Sequence, residues 1–107
     1  MSTVSTHVLD AVTGTPAAGV PVTLAAASGA EIAVAQTDAD GRVNTLAADL
    51  SPGIYRVHVD TGSYFATRKV KAFYPEVVIA VEITDSDGHY HVPLLLSPFA
   101  YSTYRGS

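Results

Sequence analysis

The sequence predicts an all-β fold, a sandwich of two sheets carrying one short helix. Apolar and polar residues alternate with a period of two in run after run, turn-forming residues separate the runs, and only residues 62–71 lack the alternation. With 107 residues and 48% hydrophobic content, the chain can close one modest core, burying roughly 60–70% of its unfolded surface. Residues 1–107 are therefore expected to form a single domain.

The first run sets Val4, Thr6 and Val8 on one face and Ser5, His7 and Leu9 on the other, and it ends at the turn-rich Thr13-Gly14-Thr15-Pro16. A second run aligns Val20, Val22 and Leu24. Residues 31–37 alternate Ile32, Val34 and Gln36 against Glu31, Ala33 and Ala35. Asp38-Ala39-Asp40-Gly41 then turns the chain into Arg42-Val43-Asn44-Thr45, so Arg42 stands just beyond a glycine-bearing turn. After Ser51-Pro52-Gly53, Tyr55, Val57 and Val59 form a core face opposite Ile54, Arg56 and His58.

Helix formers such as Ala66, Arg68 and Lys69 in the stretch 62–71 predict a short surface helix or turn. The next strand aligns Val77, Ile79, Val81 and Ile83 and turns at Asp85-Ser86-Asp87-Gly88, a hairpin signal. The last pair runs from His89 to Leu96 and from Phe99 to about Arg105, around Ser97-Pro98.

Six Lys plus Arg against ten Asp plus Glu give a net charge of -4 with the basic residues scattered, which argues against nucleic acid as a partner. No cysteine is present, so a disulfide framework and a thiolate metal site are excluded. The N-terminal Met1–His7 segment has no basic stretch followed by an apolar one, and no apolar run approaches the ~20 residues of a membrane span. The C-terminal Arg-Gly-Ser differs from a peroxisomal Ser-Lys-Leu address. The expectation is a cytoplasmic protein with no membrane contact.

Two groups of residues carry chemistry. On the run His89–Leu96, the apolar face of Tyr90, Val92, Leu94 and Leu96 sends His89, His91, Pro93 and Leu95 the other way, outside the core. His7 and Leu9 point outward in the same manner. Such a face is too apolar for plain solvent and suits a pocket or a partner subunit. A single histidine there is ordinarily an exposed strand residue. His89 and His91 could place two ring nitrogens on one ion with His7 as a third ligand, but no acidic or thiolate residue completes such a set, so no metal is expected.

Arg42 is either a solvated turn residue or an anion clamp, because a guanidinium stays charged and offers a planar fork of donors. The chain closes on Tyr104-Arg105-Gly106-Ser107, a phenol, a guanidinium, a hydroxyl and the terminal carboxylate where a frayed tail is the ordinary outcome. Ser107 lacks the strained elbow of a nucleophilic serine.

Four separated segments, Ser5-Thr6-His7-Val8-Leu9-Asp10, the Gly41-Arg42 turn, His89-Tyr90-His91-Val92-Pro93-Leu94-Leu95-Leu96-Ser97-Pro98 and Tyr104-Arg105-Gly106-Ser107, together resemble the 5-hydroxyisourate hydrolase family of transthyretin-like proteins. The resemblance spans nearly the whole chain. It implies a transthyretin-like two-sheet sandwich assembled as a homotetramer, a dimer of dimers with active sites in a channel between the dimers. It also implies hydrolysis of 5-hydroxyisourate in urate degradation without a cofactor or metal. Catalytic roles then fall on His7, Arg42 and His91, and substrate-binding roles on Tyr104, Arg105 and Ser107. In transthyretin, the hormone carrier, the positions matching His7, Arg42 and His91 hold Lys, Glu and Thr, and the terminal tetrapeptide is absent. By that resemblance the chain is similar to the enzyme rather than to the carrier.

Overall fold

A computed structural model describes residues 2–107. In chain order the elements are β1 (Thr3–Asp10), β2 (Thr15–Pro16), β3 (Pro21–Ala26), β4 (Glu31–Gln36), β5 (Arg42–Ala48), β6 (Gly53–Val59), α1 (Thr61–Thr67), β7 (Val77–Ile83), β8 (His89–Ser97) and β9 (Ala100–Thr103). One sheet runs β2-β1-β8-β9, with β5 also pairing β1; the other runs β4-β3-β6-β7. All pairings are antiparallel except β1 with β8, which lie parallel and set Thr3 beside His89, Ser5 beside His91 and His7 beside Pro93.

The alternation read from the sequence decides which face of each strand closes the core. Val4 and Val8 from β1, Val22 and Leu24 from β3, Val57 and Val59 from β6, and Leu94 and Leu96 from β8 are all buried between the sheets. Thr6 belongs to the same inward set, and its hydroxyl is satisfied by donating to the Val92 carbonyl at 2.6 Å. In β4 the inward set is Ala33 and Ala35, while Val34 on this edge strand is 64% exposed.

Three boundaries differ from the sequence expectation. The Thr13-Gly14-Thr15-Pro16 turn contains a two-residue strand, because Leu9 and Asp10 pair with Pro16 and Thr15. The helix ends at Thr67 rather than near 71 because Lys69 takes a left-handed backbone, φ 57°. Its amide donates to the Ala66 carbonyl, and the Val70 amide to the Phe65 carbonyl, which completes a Schellman cap.

The third is the last strand, which stops at Thr103 instead of near Arg105. Leu94 pairs with Thr103, so the same register carried onward sets Pro93 opposite Tyr104. Proline has no N–H to give, and the ladder lapses there. It resumes as a single bridge between His91 and Gly106.

At one end of the sandwich α1 buries Thr61, Tyr64 and Phe65. Its Asp60 cap accepts from the Ser63 amide at 3.1 Å. The Tyr64 hydroxyl donates to the Asp10 carboxylate at 2.8 Å, and the Arg68 guanidinium lies 3.7 Å over the Tyr64 ring. Burial pushes the Asp10 carboxyl up, but hydrogen bonds from Tyr64 and from the Thr13 and Val12 amides outweigh that and hold its pKa below the usual range. Burial, reinforced by Asp10, pushes the Tyr64 phenol up to about 12.

This pair fixes a pH window. Asp10, depressed in the folded state, stabilises the fold above its unfolded pKa and loses that contribution as acid carries the solution through its folded pKa. Tyr64, raised in the folded state, contributes below its unfolded pKa and loses that contribution in strong alkali. Replacing Tyr64→Phe is expected to cost about 1.5–3 kcal/mol, the worth of a hydrogen bond to a charged group. Urea unfolding at pH 7 and pH 3 tests this: the cost should shrink at pH 3, and an equal cost at both would overturn the linkage.

Candidate active site

The turn before β5 is built to place Arg42. The Asp38 carboxylate accepts from the amides of Asp40 and Arg42, both at 2.9 Å, and the Gly41 amide returns to the Asp38 carbonyl at 2.9 Å. Gly41 has φ +74°, and a side chain there would run into the Val8 carbonyl. Its own carbonyl accepts from the Val8 amide at 2.7 Å, and His7 Nε2 donates to the Asp40 carbonyl at 2.9 Å. The turn is thus fastened to β1, and the register sets His7 directly beside Arg42.

On β8, His91 is half-buried. Its Nδ1 lies 2.7 Å from the Ser5 hydroxyl, and its carbonyl accepts from the Gly106 amide at 2.9 Å. The chain beyond β9 therefore folds back over the His91 ring. A side chain on Gly106 would strike the His91 ring and approach Pro93, so this close pass requires glycine.

These placements open a cleft of about 200 Å³ lined by Ser5 and Thr6 of β1, Arg42 and Asn44 of β5, His89 and His91 of β8, and Ser107 of the tail. Of the residues singled out from the sequence, Arg42, His91 and Ser107 share this cleft. His7 stands beside Arg42 without lining it. Tyr104 and Arg105 line a second hollow of about 290 Å³ between the edges of β7 and β9, with His91 forming part of the wall of both. The Arg105 guanidinium sits 4.7 Å over the Tyr90 ring, which turns it toward holding the tail. Asn44, Ser5 and Thr6 are cleft residues to which sequence reasoning gave no role, and His89 is one it weighed only as a metal ligand. For Ser5 and His89 the signal was present, because alternation puts them on the faces of His7 and His91.

Burial is the main cause that lowers the His91 pKa below the ordinary histidine value, and the nearby Arg42, His7 and His89 lower it further. The ring is therefore neutral near pH 7 and can accept a proton, beside a permanently charged guanidinium and the Ser107 hydroxyl. Among the described residues no group of three or more His, Asp or Glu is placed to share one ion.

Together these features define a transthyretin-like sandwich that carries an imidazole and guanidinium cleft on an outer sheet face. Residues 4–106 match the family described as Transthyretin: HIUase/Transthyretin family, and the chain belongs to that family. A relative from Salmonella dublin named 5-hydroxyisourate hydrolase is 44% identical over 108 residues, covering 96% of this chain and 79% of the relative. The structure of Klebsiella pneumoniae 5-hydroxyisourate hydrolase superposes with a TM-score of 0.92 at 42% identity, covering 98% of this chain and 99% of that one. Transthyretin from Sparus aurata superposes with a TM-score of 0.90 at 34% identity, covering 96% and 95%.

The close pass of Gly106 over His91 is testable by itself. In Gly106→Ala the tail should lift, and backbone hydrogen exchange at residue 106 should rise about 3- to 10-fold as one hydrogen bond is lost, with shifted His91 ring resonances. Unchanged exchange and ring shifts would mean that the tail does not rest on His91.

Proposed function

We propose that the protein hydrolyses 5-hydroxyisourate, the product of urate oxidation, opening its ring amide to give 2-oxo-4-hydroxy-4-carboxy-5-ureidoimidazoline. The observation that carries the reading is the convergence of Arg42, His91 and Ser107 on one open cleft. Overall shape cannot decide the matter, because the chain superposes almost equally well on the Klebsiella hydrolase and on a transthyretin. Hydrolysis of an amide by water needs a base for the nucleophile, donors for the tetrahedral oxyanion and an acid for the leaving nitrogen.

His91, kept neutral by burial and by the nearby charge of Arg42, takes a proton from the attacking water. Arg42 donates to the substrate carbonyl and to the negative charge that grows on it, a kind of contribution worth ~100-fold or more in rate. The ring C–N bond then breaks, and the leaving nitrogen takes the proton that His91 accepted, with His7 beside Arg42 as its partner in the acid and base roles. Ser107, through its hydroxyl, binds the polar rim of the substrate. Tyr104 and Arg105 complete the binding side of the tail, with Arg105 fastened over Tyr90. No cofactor enters the scheme.

The proposal includes a homotetramer of one-domain chains in the cytoplasm. Supporting the assembly are the neighbouring edge strands β7 and β9 with exposed Val78 and Tyr101, and Phe99 beside them, 63% exposed. No helix among the described residues is long and apolar enough to cross a membrane, and the cysteine-free composition suits a reducing compartment.

The primary test follows the decay of freshly generated 5-hydroxyisourate. The protein should accelerate it with or without a chelator, His91→Asn should abolish the effect, and the acidic limb of the kcat/KM profile should fall below the ordinary histidine pKa of ~6.5. No acceleration by the intact protein would return it to a ligand-binding role. Arg42→Glu should lose at least ~100-fold in kcat while size-exclusion chromatography still reports four times the 11.1 kDa chain mass. Undiminished turnover would remove Arg42 from the mechanism.

A further inference from the structure

The face that carries His91 holds a line of hydrogen bonds that the hydrolytic scheme leaves unused. His91 Nδ1 is 2.7 Å from Ser5 Oγ, the same hydroxyl is 3.2 Å from His89 Nε2, and His89 Nδ1 is hydrogen-bonded to Thr3 Oγ1. The two imidazoles are nearly parallel, 11° apart in plane, with centroids 6.5 Å apart. The four side chains alternate between β1 and β8, whose register puts Thr3 beside His89 and Ser5 beside His91. Ser5 is buried, so its hydroxyl depends on the two rings for its partners.

We propose that Ser5 and His89, anchored by Thr3, are positioning residues that fix the His91 ring and determine which of its nitrogens carries the proton. The inference rests on the reading of His91 as the base. A hydroxyl has one hydrogen, so the line is polarised one way at a time. In one direction His91 Nδ1 donates to Ser5, Ser5 donates to His89 Nε2, and His89 Nδ1 donates to Thr3. His91 Nε2 then presents a lone pair to the cleft. In the other direction Thr3 donates to His89, His89 to Ser5 and Ser5 to His91 Nδ1, which leaves a proton on His91 Nε2.

The first direction is the one a base requires, and the surroundings favour it. Arg42 of β5 lines the same cleft as His91 and is near enough for its charge to act on the ring, His7 is nearby on β1, and the tail brings the Ser107 side chain. A lone pair, rather than an N–H, is the better neighbour for the guanidinium. The tail packs against the ring where Gly106 passes, and Ser5 holds the Nδ1 corner. The ring is left with its Nε2 edge for chemistry. An orienting partner on one imidazole nitrogen that sets the state of the other is a general device for histidine bases.

The test reads the tautomer of His91 by ¹⁵N NMR in the ligand-free protein, together with kcat and KM. Wild type should show the Nδ1–H form. Ser5→Ala should shift His91 toward the Nε2–H form and lower kcat about tenfold, with KM held within about twofold, as expected for one lost orienting hydrogen bond. His89 is exposed, so His89→Ala and His89→Gln leave the core untouched. The alanine variant should follow Ser5→Ala, and glutamine, whose amide can still meet Ser5, should recover part of both effects. The same tautomer and kcat as wild type in Ser5→Ala and His89→Ala would overturn the proposal, as would a glutamine variant no better than alanine. Wild-type protein without hydrolase activity would remove the function while the tautomer comparison still decides the clamp.

Discussion

Everything distinctive about the outer face follows from the parallel pairing of β1 with β8. Residues 86 apart in sequence, Ser5 and His91, become hydrogen-bonded neighbours only because these two strands run side by side in one register. Closing so long a loop costs entropy that local contacts cannot offset, so the pairing depends on the apolar inner face, where Val4, Val8, Leu94 and Leu96 are fully or nearly fully buried. A one-residue slip would turn that set outward and the histidines inward. The core that stabilises the fold thereby also holds the cleft in register.

Pro93 gives the arrangement its second constraint. A proline inside a central strand removes one ladder donor, and here that donor would face β9. The loss ends β9 at Thr103 and allows the next residues to leave the sheet, cross His91 and return as the single Gly106 bridge. Thr103 partly replaces the missing contact by donating through its hydroxyl to the Pro93 carbonyl at 2.7 Å. A regular hairpin would keep the tail flat beside β8, whereas this interrupted one carries Ser107 to the cleft.

The inward faces were legible in the sequence because period-two alternation is a local signal: Tyr55, Val57 and Val59, and the Tyr90 to Leu96 set, are buried as the pattern required. The outward placement of His91 was equally legible, being the complement of that face. Arg42 beside a glycine turn could be seen, but not that His7 and Val8 fasten the turn, since that depends on the β1–β5 pairing. The end of β9 was missed because apolar and aromatic spacing continues past Thr103, and only the register reveals that Pro93 has no donor for Tyr104. Arg105 over Tyr90 and the line through Ser5 and His89 are contacts between residues 15 or more positions apart, and no spacing rule reports them.

Fold and chemistry occupy opposite faces of the same strands, and this separation bears on how one sandwich serves the different proteins it resembles. The inner face sets the shape, which is why a hydrolase and a transthyretin both superpose closely. Arg42 and Ser107 are exposed, so exchanging their side chains alters no buried contact. Ser5 and His91 are different. They lie deeper, bonded to each other, and a change at either must answer to packing as well as to chemistry. The cleft therefore combines replaceable charged groups at its rim with a pair whose geometry is tied to the strands beneath it. A charged group can be exchanged at the rim in a single step, but orienting an imidazole requires the register of two strands from opposite ends of the chain.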